Sequence, residues 1–394
     1  MKKTFPLVIS LIFLSMSVHS ALAGGGGFAS APLNKDFLDY MSEASASRAY
    51  GIEAEYADRA AGYRPSPVDL SHLRSAAYEP RGRGAENLPR KFDLRASMHV
   101  TPAKDQGQNN TCWTHTAVGS LESTYLKATG TTLDLSEGYI EWAAYSGAQP
   151  FDGKMGGGGY DNLSVSVMAR WDGPVLEGVF PGSASSVSPA TSYPARLHLE
   201  DAYFLAFQFL QEFPEPTDDA RKRLIYEHGG ISAGLRVETA SENSRYYNKE
   251  KCAFYFNGSV TRPDHAVLLV GWDDDFPRTN FRSVPEGDGA WLAKNSWGTG
   301  FGIDGFFWIS YFDLGLSDGT AYIAGETSDF DINYGYDTLG WCNSAGSDTS
   351  QTETAWVSNV FETGASKETL GAVSFYATSN ETSYEIMVYS NPVN

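Results

Sequence analysis

Gln106-Gly107-Gln108-Asn109-Asn110-Thr111-Cys112-Trp113 is the stretch whose reading decides the rest of the chain. Gly and Asn crowd the approach, so the backbone is expected to turn there. From Thr114 onward Val118, Leu121 and Tyr125 recur three and four apart and stop near Gly130, which predicts an amphipathic helix closed by a glycine. Cys112 therefore stands where a helix begins. The aligned amides of a helix N-terminus favour negative charge, which lowers a thiol's pKa and raises its thiolate fraction. A lone cysteine is more often a small buried hydrophobe, and position alone sets this one apart.

Working outward, a thiol nucleophile needs a base, and seven histidines are present. His19 lies in the leader and His72 in the N-terminal extension. His99 and His198 have ordinary polar neighbours, His115 shares the helix of Cys112, and His228 precedes Gly229-Gly230 at an expected helix end. His265 differs because it opens the apolar run 266–272, a predicted buried strand that would hold its imidazole rigidly. Lys294-Asn295-Ser296-Trp297-Gly298 closes the next such run, 290–293. An asparagine can accept a hydrogen bond from one ring nitrogen of histidine, fixing the tautomer and leaving the other nitrogen to face the thiol. Trp297 is placed to shield that bond from water. Alone, each piece has a plainer reading: a histidine capping a strand, and an Asn-Ser turn.

Together, Gln106, Cys112-Trp113, Asp264-His265-Ala266 and Lys294-Asn295-Ser296-Trp297-Gly298, in that order, resemble the papain-like cysteine peptidases. The resemblance runs from about 88 to 311. It implies Cys112 as nucleophile, His265 as base, Asn295 as its orienter, and Gln106 with the Cys112 amide as oxyanion donors. It further assigns Gly158 and Gly159 to a glycine-rich edge that binds substrate backbone, for which a flexible loop is the plainer reading. Ala266 would line the pocket for the second side chain before the scissile bond, and Trp297 is grouped with these substrate-binding residues. No metal or other cofactor is implied. Two positions depart from the family pattern: Asn109 replaces a usual cysteine, and His115 a usual aromatic.

The fold class expected is α+β: a papain-like fold of two subdomains, helical first and β-barrel-like second, followed by a small all-β lectin-like module. Ala31-Pro32-Leu33-Asn34, Ser66-Pro67-Val68-Asp69-Leu70 and Tyr336-Asp337-Thr338-Leu339-Gly340-Trp341 resemble bacterial surface or secreted papain-type peptidases that carry such a module. The boundaries read as a signal peptide at 1–23, a propiece or N-terminal extension at 24–87, the catalytic domain at 88–329 and the module at 330–394. The last is short for its kind and is expected to be incomplete. Partly alternating apolar positions predict strands at 354–361, 370–376 and 384–389.

Lys2 and Lys3, the apolar run 5–18 and Ala21-Leu22-Ala23 form the positive, apolar and small-residue order of a secretory leader, too short to span a bilayer. Secretion is the expected localisation, with no transmembrane segment. With 29 basic against 48 acidic residues and a net charge of -19, attraction to nucleic acid is disfavoured. Three cysteines allow at most one bridge within the chain, so no disulfide framework stabilises it. Asp273-Asp274-Asp275 reads as a solvated acidic turn rather than a cation site. The expected partners are a protein or peptide substrate and, through the C-terminal module, cell-wall or surface glycans. The function expected is a secreted cysteine endopeptidase; the alternatives are an inactive homologue serving as an adhesin, or a transpeptidase using the same residues.

Overall fold

The computed structural model describes residues 28–30, 32–49, 62–69, 88–146, 155–180, 193–205, 219–237, 244–259, 262–317, 319–335, 338–342, 345–347, 358–364, 368–376 and 383–389. The expected leader at 1–23, His72 and Tyr336-Asp337 lie outside the described residues.

The N-terminal extension contributes β1 (Phe28–Ser30) and α1 (Lys35–Ala49). After β2 (Lys91–Asp93) the helical half begins with α2 (Cys112–Thr129). Its last turn is closed by Gly130 in the left-handed region at φ 73°, whose N–H reaches the Leu126 carbonyl at 2.8 Å. Helix α3 (Glu137–Tyr145) starts where Ser136 Oγ accepts from the Tyr139 amide, and α4 (Asp161–Ala169) follows the glycine run.

Thereafter strands dominate: β3 (Leu197–Leu205), then helix α5 (Asp219–Glu227), β4 (Ile231–Leu235), β5 (Tyr247–Asn248), β6 (Ala253–Phe254), β7 (His265–Asp273), β8 (Ala290–Lys294), β9 (Phe306–Ser310) and β10 (Gly319–Glu326). They form one sheet in the order β3-β10-β4-β7-β8-β9-β6-β5, with β2 added alongside β7. The apolar runs read at 266–272 and 290–293 fall on β7 and β8 at its centre: β4, β8 and β9 are buried at every position, and β7 at all but its last. Helix α2 lies across β10, β7 and β4.

Two cores result, as an α+β chain with two subdomains requires. Trp272, Trp291, Leu292 and Ile309 fill the sheet core, while Trp113, Leu121, Ile140 and Leu163 fill the helical one. Each such side chain contributes on the order of 2 kcal/mol by leaving water. Ala266 belongs to the helical core although it lies on β7, so the first turn of α2 and the start of β7 meet at the seam.

The acidic turn is engaged in ion pairs. Asp273 pairs with Lys91 at 2.8 Å, Asp274 with Lys222 at 2.6 Å and Asp275 with Arg90, so the turn ties β2 and α5 to the end of β7. Cys112 and Cys252 are free thiols, and Cys342 Sγ donates to the Leu339 carbonyl at 3.2 Å.

The C-terminal module contributes β11 (Ala345–Ser347), which pairs antiparallel with β1. Of the strands expected at 370–376 and 384–389, and of the described part of 354–361, only Tyr389 makes a β-bridge among the described residues. Alternating apolar residues make a strand only where a neighbouring backbone takes up the hydrogen bonds. Here Val360, Tyr384 and Tyr389 are exposed.

Candidate active site

Cys112 is the first residue of α2, preceded by Thr111, as the glycine and asparagine turn demands. Its side chain is fully buried, and the backbone amides of Ala266 and Trp113 lie against the sulfur and pull its pKa down. The Ala266 contact brings the sulfur against the strand that His265 opens.

The His265 ring is oriented by hydrogen bonds of fixed direction. The Ser296 backbone N–H donates to Asn295 Oδ1 at 2.8 Å, and only the oxygen of that amide can accept it. His265 Nε2, 2.8 Å from the same oxygen, must therefore be the protonated nitrogen. Nδ1 is left as the unprotonated ring nitrogen, buried and without a hydrogen-bond partner among the described residues. Trp297 stacks on the imidazole with ring centroids 4.8 Å apart, which covers the His265–Asn295 bond as its place in the sequence suggested. Asn295 sits at the end of β8, next to Lys294, whose Nζ donates to Thr101 Oγ1 at 2.9 Å; Thr101 in turn donates to the buried Glu122 on α2 at 2.6 Å. That chain of bonds ties β8 to the helix carrying the thiol.

Gln106 is buried beside Asn109. Its Nε2 donates to the Asn109 carbonyl at 2.6 Å and its Oε1 accepts from Ser296 Oγ, so the direction of the amide is fixed. Ser296 was not singled out in the sequence, yet its amide and hydroxyl orient both Asn295 and Gln106. The only available signal was its place between Asn295 and Trp297.

The glycine run is a braced edge rather than a loose loop. Glu141 accepts from the Gly156 amide at 2.9 Å, Asn110 donates to the Gly156 carbonyl at 2.9 Å, and Tyr145 donates to the Gly158 carbonyl. At Gly159 a Cβ would meet the Trp113 ring at 2.5 Å, so glycine is required there.

Residues 62–69 lie over this site. Tyr63 pairs in parallel with Gly159: the Arg64 amide donates to the Gly159 carbonyl at 2.8 Å and the Gly159 amide to the Gly62 carbonyl at 2.9 Å. From the opposite wall the Asp264 carbonyl accepts from the Tyr63 amide at 3.2 Å. Gly62 passes so close to the thiol that a Cβ there would be 2.9 Å from Cys112 Sγ and 2.7 Å from the Asn110 carbonyl carbon. Tyr63 is buried in the same cluster as Cys112 and Ala266.

Burial decides the charge state. Burial pushes the Cys112 thiol up to about 12, against the backbone donors that pull it down, and pushes His265 down to about 4, against the bond to Asn295. The covered pair is a thiol and a neutral imidazole, and the thiolate expected from the helix N-terminus is outweighed by desolvation. His115, on the first turn of α2, bonds the Thr111 carbonyl through Nδ1 at 2.8 Å, and burial lowers it to about 4 as well.

A cysteine at a helix start, with a histidine and an asparagine on adjacent strands across a cleft, defines a Cys-His-Asn site between a helical and a β subdomain. The papain family cysteine protease profile matches residues 88–323, and the chain belongs to that family. A lectin-like domain profile matches residues 333–394, so the papain-like fold carries a lectin-like C-terminal module. Mouse cathepsin K is 26% identical over 243 residues, 61% of this chain and 64% of that protein. The solved cysteine protease and lectin-like domains of Cwp84, a surface layer associated protein of Clostridium difficile, align with TM-score 0.59 and 27% identity over 77% of this chain and 63% of that one. Cwp84 after propeptide cleavage aligns with TM-score 0.52 and 29% identity over 61% of this chain and 59% of that one. The chain thus spans a little under two thirds of the length of these relatives.

Proposed function

We propose that this chain is the latent form of a secreted cysteine endopeptidase that cleaves extracellular or cell-surface proteins through a Cys112 thioester. The observation that carries the reading is the fixed tautomer: Asn295 Oδ1 accepts the hydrogen bond that His265 Nε2–H donates, which leaves Nδ1 as the base on a strand whose Ala266 amide lies against the thiol.

Residues 24–87 act as an inhibitory propiece, supported by Gly62 and Tyr63 lying between the thiol and solvent. When they leave, water reaches the site and the desolvation cost falls. The Cys112 proton then passes to His265 Nδ1, giving a thiolate and an imidazolium. The thiolate attacks the peptide carbonyl, the developing oxyanion is held by Gln106 and the Cys112 amide, and His265 returns the proton to the leaving amine. Water, deprotonated by His265, then hydrolyses the thioester. Gly159 would pair with substrate main chain, because its amide and carbonyl already pair with Gly62 and Arg64, and Gly158 would lie along the same edge, where a Cβ would meet the Gly62 carbonyl. Ala266 and Trp297 flank the same cleft.

The assay is casein cleavage by the protein freed of residues 24–87. Cleavage that disappears in Cys112→Ala, with the circular dichroism spectrum unchanged, supports the reading; cleavage at the parent rate in that variant defeats it. Products made with an added amine separate hydrolysis from transpeptidation, since a transpeptidase gives amides instead of free carboxylates. An inactive adhesin would show Cys112 alkylated by iodoacetamide no faster than an ordinary thiol. Glycan binding by the module and secretion belong to the same proposal, the latter supported by residues 1–23.

A further inference from the structure

Besides the cleft, the N-terminal segment touches the molecule at a second place. Val68, six residues beyond Gly62, is buried against Trp341 of the lectin-like module, with Phe204 of β3 and Tyr376 closing the cluster. Trp341 meets Tyr376 with ring centroids 5.7 Å apart and Phe204 edge-on at 6.3 Å, so Val68 is covered by aromatic faces from both the catalytic domain and the module. Asn162 at the start of α4 spans the same junction: its Oδ1 accepts from Ser66 Oγ at 3.2 Å and its Nδ2 donates to the Trp341 carbonyl at 3.5 Å. Further upstream, β1 and β11 form a ladder with Phe28 opposite Ser347 and Ser30 opposite Ala345. A two-stranded ladder alone is marginal in water, so it needs the apolar contact to hold.

The module's own seat on the catalytic domain is separate. Arg170 donates to the Thr338 carbonyl at 2.6 Å, Asn333 donates to the Ala169 carbonyl at 2.8 Å, and Gly340 approaches Ser166 so closely that a Cβ would lie 2.7 Å from the serine Cβ. None of these contacts involves residues 28–69.

We propose that the Trp341 face and the β11 edge of the lectin-like module form a docking surface whose partner is this chain's own N-terminal segment, so that the module latches the segment over the cleft. The proposal rests on the reading of residues 24–87 as a propiece. It assigns the module a role in latency that requires no sugar.

The test is amide hydrogen exchange on the full chain carrying Cys112→Ala, which cannot cut itself. The amides of Tyr63 and Arg64, bonded to Asp264 and Gly159, report whether the segment is seated. Trp341→Ala and, from the other side of the contact, Val68→Asp should each speed their exchange about tenfold or more, which corresponds to about 1.4 kcal/mol. Amides of β7 and β8 should keep their protection and so report that the catalytic domain is folded. If Trp341→Ala loses that protection, Val68→Asp, which leaves the module intact, decides. Unchanged exchange at Tyr63 and Arg64 in a folded variant overturns the latch. Activity is read separately in the Cys112 protein: a segment loosened by Val68→Asp with no gain in activity keeps the latch and removes the inhibitory role.

Discussion

Strands β7 and β8 and the segment 62–69 both touch the thiol site, yet they are held in opposite ways. The strands hold His265 at the start of β7, paired with Leu235 of β4, and Asn295 directly after β8, with a core closed to water behind them. The segment rests on a few main-chain bonds to Gly159 and Asp264, and on Tyr63 and Val68 at its two ends. One is fixed by many cooperative contacts and the other by contacts that each stand nearly alone. A rigid site under a detachable cover is what latency followed by activity needs.

The largest effect should come from the rigid part. With the cover removed, Cys112→Ala should lower casein cleavage by about 10^4-fold or more, because the nucleophile has no substitute. Gln106→Ala should cost about 10^2 to 10^3-fold in kcat, the effect of losing one oxyanion donor. A Gln106→Ala loss confined to KM would mean that Gln106 binds substrate and does not stabilise the transition state.

The rigid part was also the more legible. Cys112 could be placed because glycine and asparagine precede it and helical periodicity follows it, and His265 and Asn295 because each borders an apolar run that only a buried strand satisfies. The cover was not legible in that way. Tyr63 meets Gly159 through backbone atoms, and Val68 meets Trp341 across most of the chain; neither contact leaves a local pattern. Alternation misled at 370–376 and 384–389, where apolar side chains recur with strand period but, among the described residues, only Tyr389 makes a bridge. Ser296 was overlooked because a serine after an asparagine reads as a turn until its hydroxyl is seen on Gln106.

A pH series tests the cover next. Covered His265 is held near 4 by burial, whereas an exposed histidine titrates near its ordinary 6.5. Between those values the uncovered state takes up a proton that the covered state refuses, so covering is fully favoured above 6.5 and weakens as pH falls toward 4. A peptide of residues 28–87 binding to the uncovered Cys112→Ala protein should lose affinity by up to about tenfold per pH unit across that window, the limit for one proton. His265→Ala should flatten the slope. A slope that persists without His265 would move the titration to another group.

Gly62→Val sharpens the steric side of the comparison. The new side chain would press on the backbone carbonyl of Asn110 and on Cys112 Sγ, which is fully buried. The segment must lift instead. Binding of the same peptide carrying Gly62→Val should weaken about tenfold or more, while peptide hydrolysis by the uncovered enzyme is untouched because residue 62 is no longer present. Retained affinity would mean that the segment passes the thiol at a greater distance.

The smallest effect is expected where the segment's contact is purely electrostatic. Arg262 pairs with Glu43 of α1, and the hydrogen bond it donates to the Glu43 carboxylate raises the arginine's pKa, but Glu43 stays well exposed. Exposed pairs contribute about 0.2 to 1 kcal/mol, since water screens the attraction and two long side chains must be held still. Arg262→Ala should therefore weaken binding of the 28–87 peptide by less than about fivefold, and raising the salt concentration should remove even that difference. Val68→Asp, which breaks a contact that salt does not screen, should keep its full effect under the same conditions. If the two variants respond alike to salt, charge and not apolar burial fastens the cover, and the contrast between Val68 and Glu43 fails.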